Sequence, residues 1–303
     1  MTVIAAIKFL FQHFKTSIKA NIKTGRYHHL GFLLLLALLS LCPQQVVAKD
    51  DRQRAHFHHI HLKVDDRRDT IKFYQKVLGA SEVKFRYRQP ALFTEKSFIL
   101  IDEHQSKPSS HLKTAIWHIG WGGVDGPNEY RWWQKQGVEF RTPATPLGAD
   151  HYMYFYGPDR ELIEIYTGDK HHRFNHIHLL SKRPKPTMRF YTKILNLPKP
   201  RNEAILIIDN VNLIIFPNSR QFRPSEQGET LIPTETSNIA HIAFSFRDLQ
   251  QAFNRMTKQD FDIVAPIATN EQYGFKHFFV RGPDNVLLEF VEAKPIPEGL
   301  WDE

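Results

Sequence analysis

Three observations predict an α+β fold assembled from four similar strand-helix-strand units. First, four apolar stretches each carry histidine: His59-Ile60-His61-Leu62, Trp117-His118-Ile119-Gly120, His176-Ile177-His178-Leu179 and Ala240-His241-Ile242-Ala243. Second, His59, His61, Phe73, Tyr74 and Leu78 map onto His176, His178, Phe190, Tyr191 and Leu195 with one constant shift of 117. A shift held across both a strand and a helix indicates duplication. Third, Gly157-Pro158-Asp159 and Gly282-Pro283-Asp284 are turn signals, each leading into an apolar strand with one carboxylate, Glu164 or Glu289. Pro158 maps to Pro283 and Glu164 to Glu289 with a shift of 125, while His118 maps to His241 with 123, a drift that marks changed loop lengths.

The first unit opens on an apolar strand from Phe57 to Val64. Asp65 and Asp66 supply N-cap chemistry for a helix with Ile71, Tyr74, Val77 and Leu78 on one face, and Gly79 stands at its stop. Strands follow near Glu82 to Tyr87 and Ser97 to Ile101. The second unit, Ala115 to Gly168, has a helix through Tyr130 to Lys135 ended by Gly137, and closes on the strand Leu162 to Tyr166. The third runs from Arg173 to Pro217, and a polar stretch from Asn218 to Ser237 joins it to the fourth, which ends near Ala293. The halves of the chain meet at Asp169 to His172, giving two expected domains, 55–168 and 173–293.

Residues 1–48 read as a targeting segment. Lys8, Lys15, Lys19, Lys23 and Arg26 form a basic start without an acid, Leu30 to Leu41 is apolar, and Val46-Val47-Ala48 offers small residues for cleavage. The apolar run is shorter than the roughly 18 to 20 residues of a membrane span. The expected location is periplasmic or secreted after cleavage, with an uncleaved membrane anchor as the alternative. Cys42 falls inside this segment, so the remaining chain has no cysteine and needs no disulfide. Five of the 40 basic residues and none of the 32 acidic ones lie there, leaving 35 − 32 = +3. Without a Lys/Arg block, nucleic acid is not an expected partner.

Two imidazoles and one carboxylate therefore occur twice, the ligand types of a divalent metal with open coordination positions. A single strand histidine is ordinarily a packing residue, but six matching positions outweigh that reading. Side chains alternate along a strand, so His59 and His61 share a face, as do His176 and His178. At the corresponding places in units two and four, Gly120 and Ala243 leave room for a ligand. His56, His58, His171 and His172 read as surface or linker residues.

With histidine on the first strand and glutamate on the last, after a Gly-Pro-Asp turn, the chain resembles the vicinal-oxygen-chelate superfamily: glyoxalase I, fosfomycin- and bleomycin-resistance proteins, and extradiol dioxygenases. The resemblance covers residues 55 to 293 and implies cupped, open sheets, each made from two βαβββ units around a metal. It assigns His59, His118, Glu164, His176, His241 and Glu289 as metal ligands, and puts His61 and His178 at a substrate-contacting position where they act as acid, base or hydrogen-bond donor. Glyoxalase I takes a fourth ligand, a glutamate, from the last strand of its first-type unit. Neither Ser97–Ile101 nor Asn212–Phe216 offers an acid there. In extradiol dioxygenases a tyrosine precedes the ligand glutamate by ten positions, the place of Tyr154, and Phe279 takes that place in the second half. Tyr152, Tyr154 and Tyr156 also fit an ordinary strand pattern. His151 and His277 lie on the same two strands.

Trp117, Trp121, Trp132 and Trp133 read as packing residues, or as an aromatic wall for a planar substrate. The leading expectation is a small-molecule enzyme in which His59, His118 and Glu164 hold Fe(II), with Mn(II) or Zn(II) as alternatives, and His61 and Tyr154 move protons. Extradiol-type oxygenation comes first, with a lyase, isomerase or transferase reaction, or metal-free sequestration of a small molecule, as alternatives. Pairing of the units stays open. If unit one closes with unit four, His59 joins His241 and Glu289, while His176 joins His118 and Glu164.

Overall fold

The structure, a computed structural model, describes residues 53–209, 211–219 and 231–296. The expected export segment, and residues 220–230 of the polar stretch, lie outside them. Among the described residues no helix is long and apolar enough to cross a membrane.

Unit one comprises β1 (His56–Val64), α1 (Arg67–Leu78), β2 (Ser81–Phe85), β3 (Gln89–Phe93) and β4 (Phe98–Glu103). Asp66 accepts a bond from the Asp69 amide to cap α1, and Gly79 ends it in the left-handed region at φ 67°, a conformation that favours glycine. Unit two comprises β5 (Ile116–Gly122), α2 (Gly126–Lys135), β6 (Phe140–Leu147), β7 (Asp150–Tyr156) and β8 (Leu162–Tyr166). The helix begins earlier than expected because Asp125 caps it through the Asn128 amide and Pro127 sits in its first turn. Unit three contains β9 (Phe174–Ser181), α3 (Pro184–Ile194), β10 (Ile205–Ile208) and β11 (Val211–Pro217). Unit four contains β12 (Ile239–Phe246), α4 (Leu249–Lys258), β13 (Ile263–Asn270), β14 (Phe275–Arg281) and β15 (Leu287–Glu292).

The sheets do not follow the halves of the chain. One runs β13-β14-β15-β12-β1-β4-β3-β2 and joins units one and four. The other runs β10-β11-β9-β5-β8-β7-β6 and joins units three and two. The first strands of paired units meet antiparallel at each sheet's middle, β1 on β12 and β5 on β9. Neither expected domain, 55–168 or 173–293, is thus a separate cup: each gives one unit to each sheet. Because the units share one pattern, either partner could satisfy a central strand, and the repeat by itself does not choose between them.

Among the described residues one large apolar core draws on both sheets, and a second cluster that includes Phe85, Phe98, Leu100, Tyr273 and Phe275 belongs to the first sheet. Phe57 and Phe174, equivalent positions of the duplication, touch with ring centroids 5.6 Å apart. Trp133 on α2 donates its indole N–H to the Val77 carbonyl of α1 at 2.9 Å, and Tyr74 on α1 packs 5.8 Å from Trp121 on β5. These contacts hold unit one against unit two although their strands lie in different sheets.

Candidate metal centres

Each central strand carries a one-residue bulge just before its ligand-position histidine. The pairing registers slip at His58 on β1 and Ala240 on β12, and at Trp117 on β5 and Asn175 on β9. A bulge breaks the alternation of side chains and re-aims its neighbour. Here it turns His59, His241, His118 and His176 into the cups.

In the β1/β12 cup, Glu289 Oε2 lies 3.0 Å from His59 Nε2 and 3.1 Å from His241 Nε2. His59 Nε2 is buried and, despite that proximity, out of line for a hydrogen bond. Such an orphaned nitrogen beside a carboxylate oxygen fits a cation shared between them better than a hydrogen bond. In the β5/β9 cup, Glu164 Oε2 lies 2.9 Å from His118 Nε2 and 2.8 Å from His176 Nε2. There donor atoms from His118, Glu164, His176 and His178 all fall within 4.8 Å of one another. Both sets fit a divalent metal.

The expected grouping of His59 with His118 and Glu164 is therefore corrected: His59 stands with His241 and Glu289, and His118 and Glu164 stand with His176. The chemical composition of each set survives because the partner units are equivalent; only membership changes with the strand pairing. Gly120 is also reassigned. A Cβ there would lie 1.9 Å from the His176 ring, so the missing side chain makes room for a proposed ligand residue rather than for substrate. Ala243 is the pairing partner of His59 and takes the same small-residue place.

Burial pushes the imidazoles of His59, His118 and His178 below their usual range and takes His241 down to about 4. Burial alone would raise Glu164, but His118 and His176 outweigh it and hold the carboxyl well below its usual range. Glu289 is held down likewise by His241, His277 and His59. His59 and His241 in one cup, and His118 and His178 in the other, are thus held neutral beside a carboxylate, the protonation state that metal binding requires.

In two of the four ligand-position histidines, Nδ1 is held by the bulge residue that precedes it. His176 Nδ1 contacts Asn175 Oδ1 at 2.7 Å, and His59 Nδ1 contacts His58 Nδ1 at 2.8 Å. Partners of this kind fix the ring and leave the other nitrogen to a ligand. His58, expected at the surface, is instead buried among Phe85, Phe98 and Phe275, because the bulge turns it inward.

The cups differ in their other groups. His61 Nε2 meets Asp102 Oδ2 at 2.9 Å, and Asp102 also accepts from Tyr273 at 2.9 Å. The equivalent of Asp102 on β11 is Phe216, packed 5.0 Å from the His178 ring. Asp102 was legible as an acid closing an apolar strand, but its role needed the parallel pairing of β1 with β4. Tyr154 donates its hydroxyl to Glu164 Oε1 at 3.1 Å. In the other cup His277 takes that place, bonding through Nδ1 to Glu289 Oε1. His151 is not in the cup; it lies against Gly126 at the start of α2. Of the tryptophans, Trp117 lines the cup, 6.1 Å from Tyr154 and 5.7 Å from His178, while Trp121 and Trp133 belong to the core and Trp132 is exposed.

The family model for the Glyoxalase/Bleomycin resistance protein/Dioxygenase superfamily matches residues 56–165 and again 173–290. The chain belongs to this superfamily. Comparison with curated proteins gives no match. Among solved structures, glyoxalase I from Zea mays is similar with a TM-score of 0.60 at 14% identity, covering 80% of this chain and 95% of that one. A Bacillus subtilis subsp. subtilis protein described as a "putative dioxygenase" is similar with a TM-score of 0.55 at 15% identity, covering 82% and 87%. At these identities the likeness is one of fold.

Proposed function

We propose that the chain is a metal-dependent enzyme acting on a small substrate with two adjacent oxygens, with His59, His241 and Glu289 as one ligand set and His118, His176 and Glu164 as the other. The observation that carries this reading is the convergence of two buried imidazole nitrogens on one carboxylate oxygen, twice. A bound divalent ion, Fe(II) in first place and Mn(II) or Zn(II) otherwise, supplies Lewis acidity and open coordination positions. Three protein donors leave more of those positions to substrate than four would.

Extradiol-type oxygenation of a catechol-like ring is the first reaction choice, at the β5/β9 centre. Trp117 offers a planar aromatic surface beside Tyr154 and His178. Burial, reinforced by Glu164, raises the Tyr154 hydroxyl far above its usual value, so it keeps its proton and serves as a donor. His178, held neutral by burial, accepts a proton from a substrate hydroxyl. A lyase or isomerase reaction is the second reading, favoured at the β1/β12 centre by the His61–Asp102 pair, which suits proton transfer. The basic and apolar leader supports export to the periplasm as part of the same proposal.

Metal analysis of protein purified without chelators, followed by oxygen uptake on a panel of catechols, tests the choice. Bound metal with oxygen consumption supports the first reading. Bound metal without it favours the second. Protein that binds no metal at either centre refutes both and leaves sequestration of a small molecule.

A further inference from the structure

A third cluster lies away from both cups, where the sheets meet. Asp65 follows β1, His104 follows β4, and Asp159 belongs to the Gly-Pro-Asp turn between β7 and β8 of the other sheet. One ligand atom from each lies within 4.8 Å of the other two. His104 Nε2 contacts Asp65 Oδ1 directly. Asp159 Oδ1 accepts from the Asp65 amide at 2.6 Å, and its Oδ2 accepts from the Thr70 hydroxyl at 3.2 Å, which fixes the carboxylate in place. His104 is largely buried, with its side chain 13% exposed.

The duplication provides an internal comparison. The Lys182 amide donates to Asp284 Oδ1 at 3.2 Å as the Asp65 amide does to Asp159. The Asn218 amide donates to the Ser181 carbonyl as the His104 amide does to that of Val64. Lys182, Asn218 and Asp284 are therefore the counterparts of Asp65, His104 and Asp159. One copy sets Lys182 at the position of the first acid; the other brings two acids together around an imidazole.

We propose that Asp65, His104 and Asp159 form a structural site for a divalent cation that ties the end of β1 in one sheet to the Gly-Pro-Asp turn of the other. Two carboxylates with one imidazole make an oxygen-rich donor set suited to Mn(II), with water completing the shell on the exposed Asp65 side. The ion takes the electrostatic part that Lys182 can supply in the duplicate. This inference is independent of the reaction proposed for the cups.

The test is Mn(II) bound per chain, measured by equilibrium dialysis on the full protein, with Asp65→Lys and His104→Asn as variants. Both substitutions copy residues that the duplicate already places at these positions, so the local backbone accommodates them. Taking the difference from wild type removes any dependence on how many ions the cups hold. The expected result is loss of one Mn(II) equivalent in D65K, and in H104N a roughly tenfold or greater rise in the Mn(II) concentration that half-fills that equivalent. Identical binding curves for wild type and both variants overturn the proposal and leave Asp65 and His104 as an ordinary ion pair.

Discussion

His59 and Glu289, near opposite ends of the described chain, approach to 3.0 Å inside one cup, while His59 and His118 belong to different sheets. Metal counting reads this out. His59→Ala or His241→Ala is expected to remove metal from one centre, and the pair together to remove no more than either alone. His59→Ala with His118→Ala should empty both. Pairing of adjacent units would give the opposite result, because the last two substitutions would then fall in one site.

Tyr154 and Glu164 form the second relation with a functional readout. Tyr154→Phe removes the hydroxyl that bonds Glu164 Oε1 and leaves the three proposed ligands untouched. If Tyr154 supplies a proton in the reaction, kcat falls by about 100-fold or more, with metal content unchanged. Loss of metal with unchanged kcat per bound ion would make Tyr154 a support for Glu164 only.

Tyr74 donates to Glu161 Oε1 at 2.8 Å, fully buried between α1 and the second sheet. The duplicate replaces this pair with Tyr191 and Val286, and the Tyr191 hydroxyl is buried without a hydrogen-bond partner among the described residues. Tyr74→Phe should cost about 1 to 3 kcal/mol in denaturant unfolding, because it strands the Glu161 oxygen. Tyr191→Phe should be neutral or stabilising, because it removes an unpaired polar group. Equal losses in the two variants would contradict the assignment.

The pH dependence of stability in chelator follows from two opposed shifts. His241 falls from 6.5 to about 4 in the fold, chiefly through burial, so its share of stability is complete above pH 6.5 and lost as pH falls through 4. Glu161 rises from 4.5 to about 7, again through burial, so its share is complete below pH 4.5 and lost as pH rises through 7. Glu161→Gln keeps a neutral side chain at every pH. Its stability relative to wild type should therefore increase between pH 4.5 and 7 by about 3 kcal/mol and then level off. A pH-independent difference between the two proteins would show that Glu161 does not titrate in this window.

The repeated histidines, the Gly-Pro-Asp turns and the constant offset were legible along the chain because each reflects local chemistry: strand alternation, turn formation and duplicated spacing. They determined the four units, the superfamily and the identity of the six proposed ligands. The four bulges were not legible, since a bulge exists only relative to a neighbouring strand, and with them the inward turn of His58 and the role of Asn175 were hidden. Asp102 became meaningful only once β4 lay parallel to β1. Above all, the partnership of units one and four was decided by tertiary structure. Quasi-equivalent units offer each central strand two chemically similar neighbours, and the choice is bound up with long-range core contacts such as Phe57 on Phe174 and Trp133 on Val77, which no local pattern encodes.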